Sequence, residues 1–146
     1  MGGGRGEASL KLTFNIQGGD FIHAGKPSSE VKKVLKQLNV DGKTVKNIVI
    51  ALYEAEVNVV AHAWNGIVSV EIDEHKITIT VEDDGPGIPD IELAMQAGYS
   101  TASKKVRDMG FGAGMGLPNM KKNTDELLIE SIVGKGTKVK MVNYFT

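Results

Sequence analysis

The sequence contains no cysteine. That removes disulfides, thiolate metal sites and a cysteine nucleophile, and it fits a reducing cytoplasm. No apolar run approaches the ~20 residues of a membrane span, and the first residues lack the apolar core of a signal peptide. Net charge is scarce: 17 Lys+Arg against 18 Asp+Glu leave −1 at pH 7. So balanced a chain is not built to hold nucleic acid or a membrane surface by bulk electrostatics. Two phosphate-binding patterns are missing as well. Neither G-x-x-x-x-G-K-[ST] nor G-x-G-x-x-G occurs, which excludes P-loop and Rossmann-type nucleotide sites. No internal repeat, low-complexity segment or interdomain linker interrupts the chain. Its 146 residues are one domain's worth and enough for a sizeable core.

What is present is periodic. Residues Leu10 to Ile16 alternate apolar and polar, as a half-buried strand does. Before them, residues 1–8, opening Met1-Gly2-Gly3-Gly4-Arg5-Gly6, read as a flexible leader or expression remnant outside the fold. Pro27-Ser28-Ser29-Glu30 signals a helix start, followed at helical spacing by Val31, Val34, Leu35 and Leu38. After an Asp41-Gly42-Lys43 turn, a long helix is predicted from Thr44 to Ala63. Val45, Ile48, Leu52, Ala55 and Val59 form its buried stripe. Asn65-Gly66 reads as a turn. Ile67–Ile72 and Ile77–Val81, joined by Asp73 to Lys76, read as a β-hairpin. Asp83 to Pro89 is a broken loop, and Asp90 to Ala97 a short helix capped near Asp90. Gly98 to Gly114 has no periodicity and is longer than most connections. A helix is predicted from near Gly116 to before Asp125, then strands Leu127–Val133 and Thr137–Phe145 around the Gly134-Lys135-Gly136 turn. The order predicts an α+β fold: a two-layer α/β sandwich, with a mixed, mostly antiparallel sheet and helices on one face.

Four groups of residues bear chemistry. On the long helix, Glu54 and Asn58 are one turn apart on a single face. A carboxylate there can take a proton from an attacking hydroxyl, and a carboxamide oxygen suits Mg²⁺. Taken alone, the pair also reads as solvated helix surface. His62, a turn further on, reads as a packing or capping residue, and Glu56 as surface. The second group is Asp83-Asp84-Gly85-Pro86-Gly87-Ile88 at a strand end. An acid there can accept from an exocyclic amine while glycines let backbone approach a flat ring; an ordinary turn has the same composition. The third is Gly110-Phe111-Gly112-Ala113-Gly114-Met115-Gly116-Leu117, whose alternating glycines lead into a helix N-terminus and so suit an anion such as phosphate. The fourth, Gly134-Lys135-Gly136-Thr137, is by itself a hairpin turn.

In this order, Glu54-x-x-x-Asn58, Asp83-x-Gly85-x-Gly87, Gly112-x-Gly114-x-Gly116 and Gly134-x-Gly136-Thr137 closely resemble the motifs of the Bergerat-fold (GHKL) ATP-binding family. That family holds type II topoisomerase ATPase domains, a heat-shock chaperone class, histidine kinases and MutL proteins. The resemblance spans about Leu10 to Phe145 and implies one ATP-binding domain over residues 9–146. The compact size and the run from Glu54 to His62 are similar to the anti-sigma factor/serine kinase branch. The resemblance implies ATP and Mg²⁺ as cofactors, with Glu54 as general base and Asn58 as metal ligand. It implies Asp83 at the adenine amine, helped by Gly87 and Thr137, with Gly85 and Ile88 also in the nucleotide-binding set. Ser100, Thr101, Lys104, Gly112, Gly114, Met115, Gly116 and Leu117 complete the nucleotide-binding set. One departure stands out. Better-known members of the branch carry an arginine shortly before the Gly-Met-Gly, where this chain has Gly112; Lys104, Lys105 or Arg107 are the cations available in its place.

Three functions follow as expectations. The first is a cytoplasmic serine/threonine-protein kinase that transfers the ATP γ-phosphate to a partner and sequesters a sigma factor or an anti-anti-sigma-like protein. The resemblance implies that it is a homodimer. The second is a non-catalytic, ATP-gated binding module. The third is a stand-alone histidine-kinase-type ATPase domain, which needs a phosphoacceptor histidine on a helical hairpin. His23, His62 and His75 lie in no such context. Topoisomerase and chaperone relatives carry longer lids and further domains, for which the chain has no room.

Overall fold

The computed structural model describes residues 9–96 and 116–145. Strand β1 (Leu10–Gln17) leads to helix α1 (Lys26–Gln37) and the long helix α2 (Gly42–His62). Strands β2 (Asn65–Ile72) and β3 (Lys76–Asp83) follow, then a single-turn helix α3 (Ile91–Ala94). Helix α4 (Gly116–Lys122) and strands β4 (Glu126–Ile132) and β5 (Gly136–Tyr144) complete the described chain. The strands form one sheet in the order β1-β2-β3-β5-β4. All four ladders are antiparallel, so the sheet is not mixed. Hairpins join β2 to β3 and β4 to β5, and α1 and α2 carry the chain from β1 to its antiparallel neighbour β2; β4 lies beyond β5 and so runs parallel to β3 without pairing with it.

The alternation in the strands decides which face is covered. Val68, Val70 and Ile72 on β2, Ile77, Ile79 and Val81 on β3, and Val139 and Met141 on β5 are all buried. They register across the sheet as Ile72↔Ile77, Ile79↔Met141 and Val81↔Val139. The opposite face carries Thr13, Ser69, Thr80 and Lys140 in one cross-strand row that ends in the exposed Leu128 of the edge strand β4, a largely polar row left open to solvent. Helix α2 lies on the apolar face and packs on β1, β2, β3 and β5, with α1 and α4 beside it. The architecture is therefore a two-layer α/β sandwich.

The expected stripe on α2 is buried throughout: Val45, Ile48, Leu52, Ala55 and Val59 are each no more than 4% exposed. The buried face is wider than that stripe, because Ala51, Glu56, Val57 and Val60 are buried too. Helix α2 begins at Gly42, earlier than the expected turn allows, because the Asp41 carboxylate accepts the Thr44 N–H at 3.2 Å and caps the first turn. Helix α1 stops before Leu38, whose side chain is exposed instead of continuing the apolar stripe. Asn65 and Gly66 open β2 and form no turn. The corner before them is closed by Asp84, which accepts N–H groups from Trp64 (3.0 Å) and Asn65 (2.7 Å). Asp83 ends β3 and does not belong to the loop.

Candidate functional site

Four elements meet at one end of the sandwich: the second half of α2, the end of β3, the start of α4 and the β4–β5 hairpin. Glu54, Asn58 and His62 are spaced by four on α2, and all three are half-buried between helix and solvent. An α-helix rises 1.5 Å per residue, so Glu54 and His62 lie about 12 Å apart along its axis, with Asn58 midway.

The strand end sits against the last turn of α2. A Cβ placed on Gly85 would lie 3.1 Å from Asp83 Oδ1 and 3.1 Å from the His62 carbonyl oxygen. Asp83 Oδ1 accepts the N–H of Gly85 at 2.9 Å and that of Thr137 at 3.3 Å. Among the described residues Oδ2 has no hydrogen-bond partner, so the carboxylate is pinned by one oxygen and keeps the other for an incoming donor. Burial raises the Asp83 pKa above the usual carboxylate range, while those two N–H groups and the nearby His62 pull it back. His62 is pushed down by burial and drawn up by Asp83.

Beside Asp83, the hairpin closes the site. Ile88 donates its N–H to Ser131 Oγ at 2.7 Å, and Ser131 Oγ lies 2.9 Å from Thr137 Oγ1. Gly134 donates to the Pro86 carbonyl at 2.8 Å. Gly87 packs so closely on the Ile132 carbonyl that a Cβ would come within 2.6 Å of its oxygen. Asp83, Gly85, Gly87, Ile88 and Thr137 are thus brought together from segments 43 to 54 residues apart. Ser131 was not singled out from the sequence. The available signal was a break in alternation: Leu127 and Ile129 face the core from β4, and the next inward position is a serine.

The remaining stations lie between α2 and α4. A Cβ on Gly116 would be 3.1 Å from Asn58 Oδ1, so glycine leaves the carboxamide uncovered. Leu117 is 7% exposed and packs into the core, leaving only its backbone to face a ligand. Glu54 is raised above the usual carboxylate range by burial, and a hydrogen bond from the Asn119 side chain opposes that rise. Ser100, Thr101, Lys104, Lys105, Arg107, Gly112, Gly114 and Met115 lie outside the described residues. Glu56 departs from expectation outright. It is 1% exposed, and its carboxylate accepts N–H groups from Gly25 (3.0 Å) and Ser28 (3.1 Å) at the start of α1, away from the site.

The donor set suits a magnesium nucleotide. Asn58 offers a neutral hard oxygen, Asp83 a carboxylate oxygen at a strand end, and the Gly116 backbone an approach with no side chain in the way. Among the described residues no cluster of three His, Cys, Asp or Glu side chains could hold a metal unaided.

Comparison with known proteins agrees with this geometry. The family described as the histidine kinase-like ATPase domain matches residues 22–143. An anti-sigma F factor of Caldanaerobacter subterraneus subsp. tengcongensis is 40% identical over 113 residues, 74% of this chain and 76% of that one. The serine/threonine-protein kinase RsbT of Bacillus subtilis is 32% identical over 117 residues, 77% of this chain and 82% of that one. An anti-sigma F factor of Geobacillus stearothermophilus is 36% identical over 141 residues, 92% and 90% of the two chains. The crystal structure of the RsbU and RsbW domains of Rv1364c from Mycobacterium tuberculosis shares the fold. Its TM-score is 0.60 at 16% identity, over 92% of this chain and 32% of that longer one. With a family match over most of its length and relatives at this identity, the chain belongs to the histidine kinase-like ATPase domain family.

Proposed function

We propose that the protein is an ATP-dependent serine kinase of the anti-sigma type, which binds a protein partner and transfers the γ-phosphate to it. One observation carries this reading: the order of stations along α2. Asp83 and Gly85 lie against the last turn of α2, where a flat, amine-bearing ring would sit. Asn58 and Gly116 lie one turn back, where a metal between phosphates would sit. Glu54 lies a further turn away, where an acceptor hydroxyl would approach. Adenine, metal and terminal phosphate occur in that same order in Mg²⁺-ATP. The names of the relatives, an anti-sigma factor and a serine/threonine-protein kinase, support the partner and the reaction class.

In this reading Glu54 accepts the proton of the incoming serine hydroxyl as its oxygen bonds to the terminal phosphorus and ADP departs. Burial that raises the Glu54 pKa brings it closer to neutrality, where a general base works best. Asn58 would ligand Mg²⁺, which when bound offsets phosphate charge. Asp83, held by Gly85 and Thr137, would accept from the adenine amine. Lys104, Lys105 or Arg107 would meet the terminal phosphate in place of the family arginine. The partner is a sigma factor or an anti-anti-sigma-like protein, and the kinase acts as a homodimer in the cytoplasm. No helix among the described residues is long and apolar enough to cross a membrane.

The test is incubation with labelled ATP and candidate anti-anti-sigma-like proteins. Label should appear on serine. Glu54→Gln should reduce transfer about 10²- to 10⁴-fold with ATP affinity retained; transfer at the wild-type rate would remove Glu54 from the role of base. Tight ATP binding with no transfer to any candidate would favour the ATP-gated binding module. Label on histidine would favour the histidine-kinase-type ATPase.

A further inference from the structure

We propose that Ser131 is a positioning residue for the adenine site: it draws the Thr137 hydroxyl away from Asp83 and so keeps one carboxylate oxygen open to the adenine amine. The inference rests on the reading of Asp83 as the acceptor of that amine. Three inward positions line up across the sheet at its nucleotide end, where Asp83 pairs with Thr137 and Thr137 with Ser131. The next two rows are wholly apolar in the same three strands. They hold Val81, Val139 and Ile129, then Ile79, Met141 and Leu127. The row of Asp83, Thr137 and Ser131 is therefore where the covered face stops being core and becomes a polar site.

Directly opposed residues in an antiparallel pair have Cβ atoms about 4.5–5.5 Å apart. At that spacing the Thr137 hydroxyl has two neighbours within reach, the Asp83 carboxylate on one side and Ser131 on the other. An ionised carboxylate is the stronger acceptor, because charge-assisted hydrogen bonds are roughly twice as strong as neutral ones. Thr137 nevertheless meets Asp83 only through its backbone N–H, at 3.3 Å, while its Oγ1 lies 2.9 Å from Ser131 Oγ. Ser131 is itself anchored: its Oγ accepts the Ile88 N–H at 2.7 Å and donates to the Gly136 carbonyl at 3.2 Å. A hydroxyl has one proton and two acceptor positions. With its proton on Gly136 and one position taken by Ile88, Ser131 offers the other to the Thr137 proton. Asp83 Oδ1 takes two backbone N–H groups, and Oδ2 takes none among the described residues. Without the Ser131 hydroxyl, Thr137 would turn to that open oxygen and occupy the place of the amine. Ser131 thus acts through Thr137 and Asp83.

The experiment compares wild type, Ser131→Ala, Ser131→Cys and Ser131→Thr. Each is titrated calorimetrically with ATP and with purine riboside triphosphate, which lacks the exocyclic amine, both with Mg²⁺. Wild type should prefer ATP about 10- to 100-fold, the worth of a hydrogen bond to a charged group. In Ser131→Ala and Ser131→Cys the preference should shrink to about threefold or less, because Asp83 then has no open oxygen for the amine. Cysteine is close to serine in size but its sulfur is a weak acceptor, so it reports the same loss should alanine impair folding. Ser131→Thr keeps the hydroxyl and should keep the preference. A preference unchanged in Ser131→Ala and Ser131→Cys, even with both nucleotides bound more weakly, overturns the proposal and leaves Ser131 as a brace between Ile88 and the hairpin. A preference lost equally in Ser131→Thr also overturns it, because the hydroxyl would then not be the deciding group. A wild type that binds both nucleotides alike would instead overturn the reading of Asp83 on which the inference rests, and that result needs no variant.

Discussion

Glu54 and Glu56 are two residues apart on one helix and do opposite work. Two residues turn about 200° around an α-helix, so if Glu54 faces the site, Glu56 faces away from it. On that side lies the start of α1, whose first N–H groups need acceptors. The N-cap residue is Gly25, at φ 97°, with no side chain to cap with. The Glu56 carboxylate supplies the cap from 28 to 31 residues away. Burial pushes its pKa up to about 7, against the pull of Ser28 and Gly25. The folded state therefore holds this proton more tightly than the unfolded state. That contribution to stability is complete below the unfolded carboxylate pKa and is lost as pH rises to about 7. Unfolding free energy should fall on the order of 3 kcal/mol across that window. Glu56→Gln, which cannot ionise, should flatten the slope; urea titrations at pH 4.5, 6 and 7.5 would show it, and an unchanged slope would contradict this account. Sequence alone could not reveal the burial, because a glutamate next to a site reads as polar surface until its distant N–H partners are known.

At the scale of elements, the β4–β5 hairpin does more than turn the chain. Its glycines differ in what they permit. Gly134 sits at φ 82° with nothing near its missing Cβ. Gly136 sits at φ 145°, and a Cβ there would fall on the Asp83 carbonyl oxygen. Gly134→Ala should thus cost only backbone strain, about 1 kcal/mol, whereas Gly136→Ala adds overlap and should cost about 2–4 kcal/mol. Gly136→Ala should also disturb Asp83 and weaken ATP binding. Calorimetric melting of both variants, with an ATP titration of each, checks the ordering; equal losses would refute it. The hairpin was legible from its turn residues and flanking alternation. Its docking against Asp83 was not, because the β3–β5 register that pairs Asp83 with Thr137 joins positions far apart in sequence.

For the molecule as a whole, a ligand that spans β3, α2 and α4 should raise the stability of all of them together. At ATP concentrations about 100-fold above Kd, linkage gives about 2.7 kcal/mol, a rise in melting temperature of roughly 5–10 °C for a domain of this size. Chelating Mg²⁺ should shrink the shift, and Asp83→Asn should largely abolish it while leaving the melting temperature without ligand near that of wild type. A full shift in Asp83→Asn would remove this residue from the nucleotide site. The same linkage explains why fold and site are hard to separate here: α2 supplies both the widest face of the core and the line of Glu54, Asn58 and His62.

The amino-acid sequence by itself determined the secondary elements to within a few residues, the side of each that faces the core, and the ordered motifs that mark the family. These depend on spacing along the chain, which periodicity and turn chemistry report directly. Only the tertiary structure decided the entirely antiparallel strand pairing, the burial of Glu56, Ser131 beneath Ile88 and Thr137, and the closeness of Gly116 to Asn58. Each of these depends on which distant segments touch. A single polar residue in a helix or strand carries no local signal of the partner it will meet.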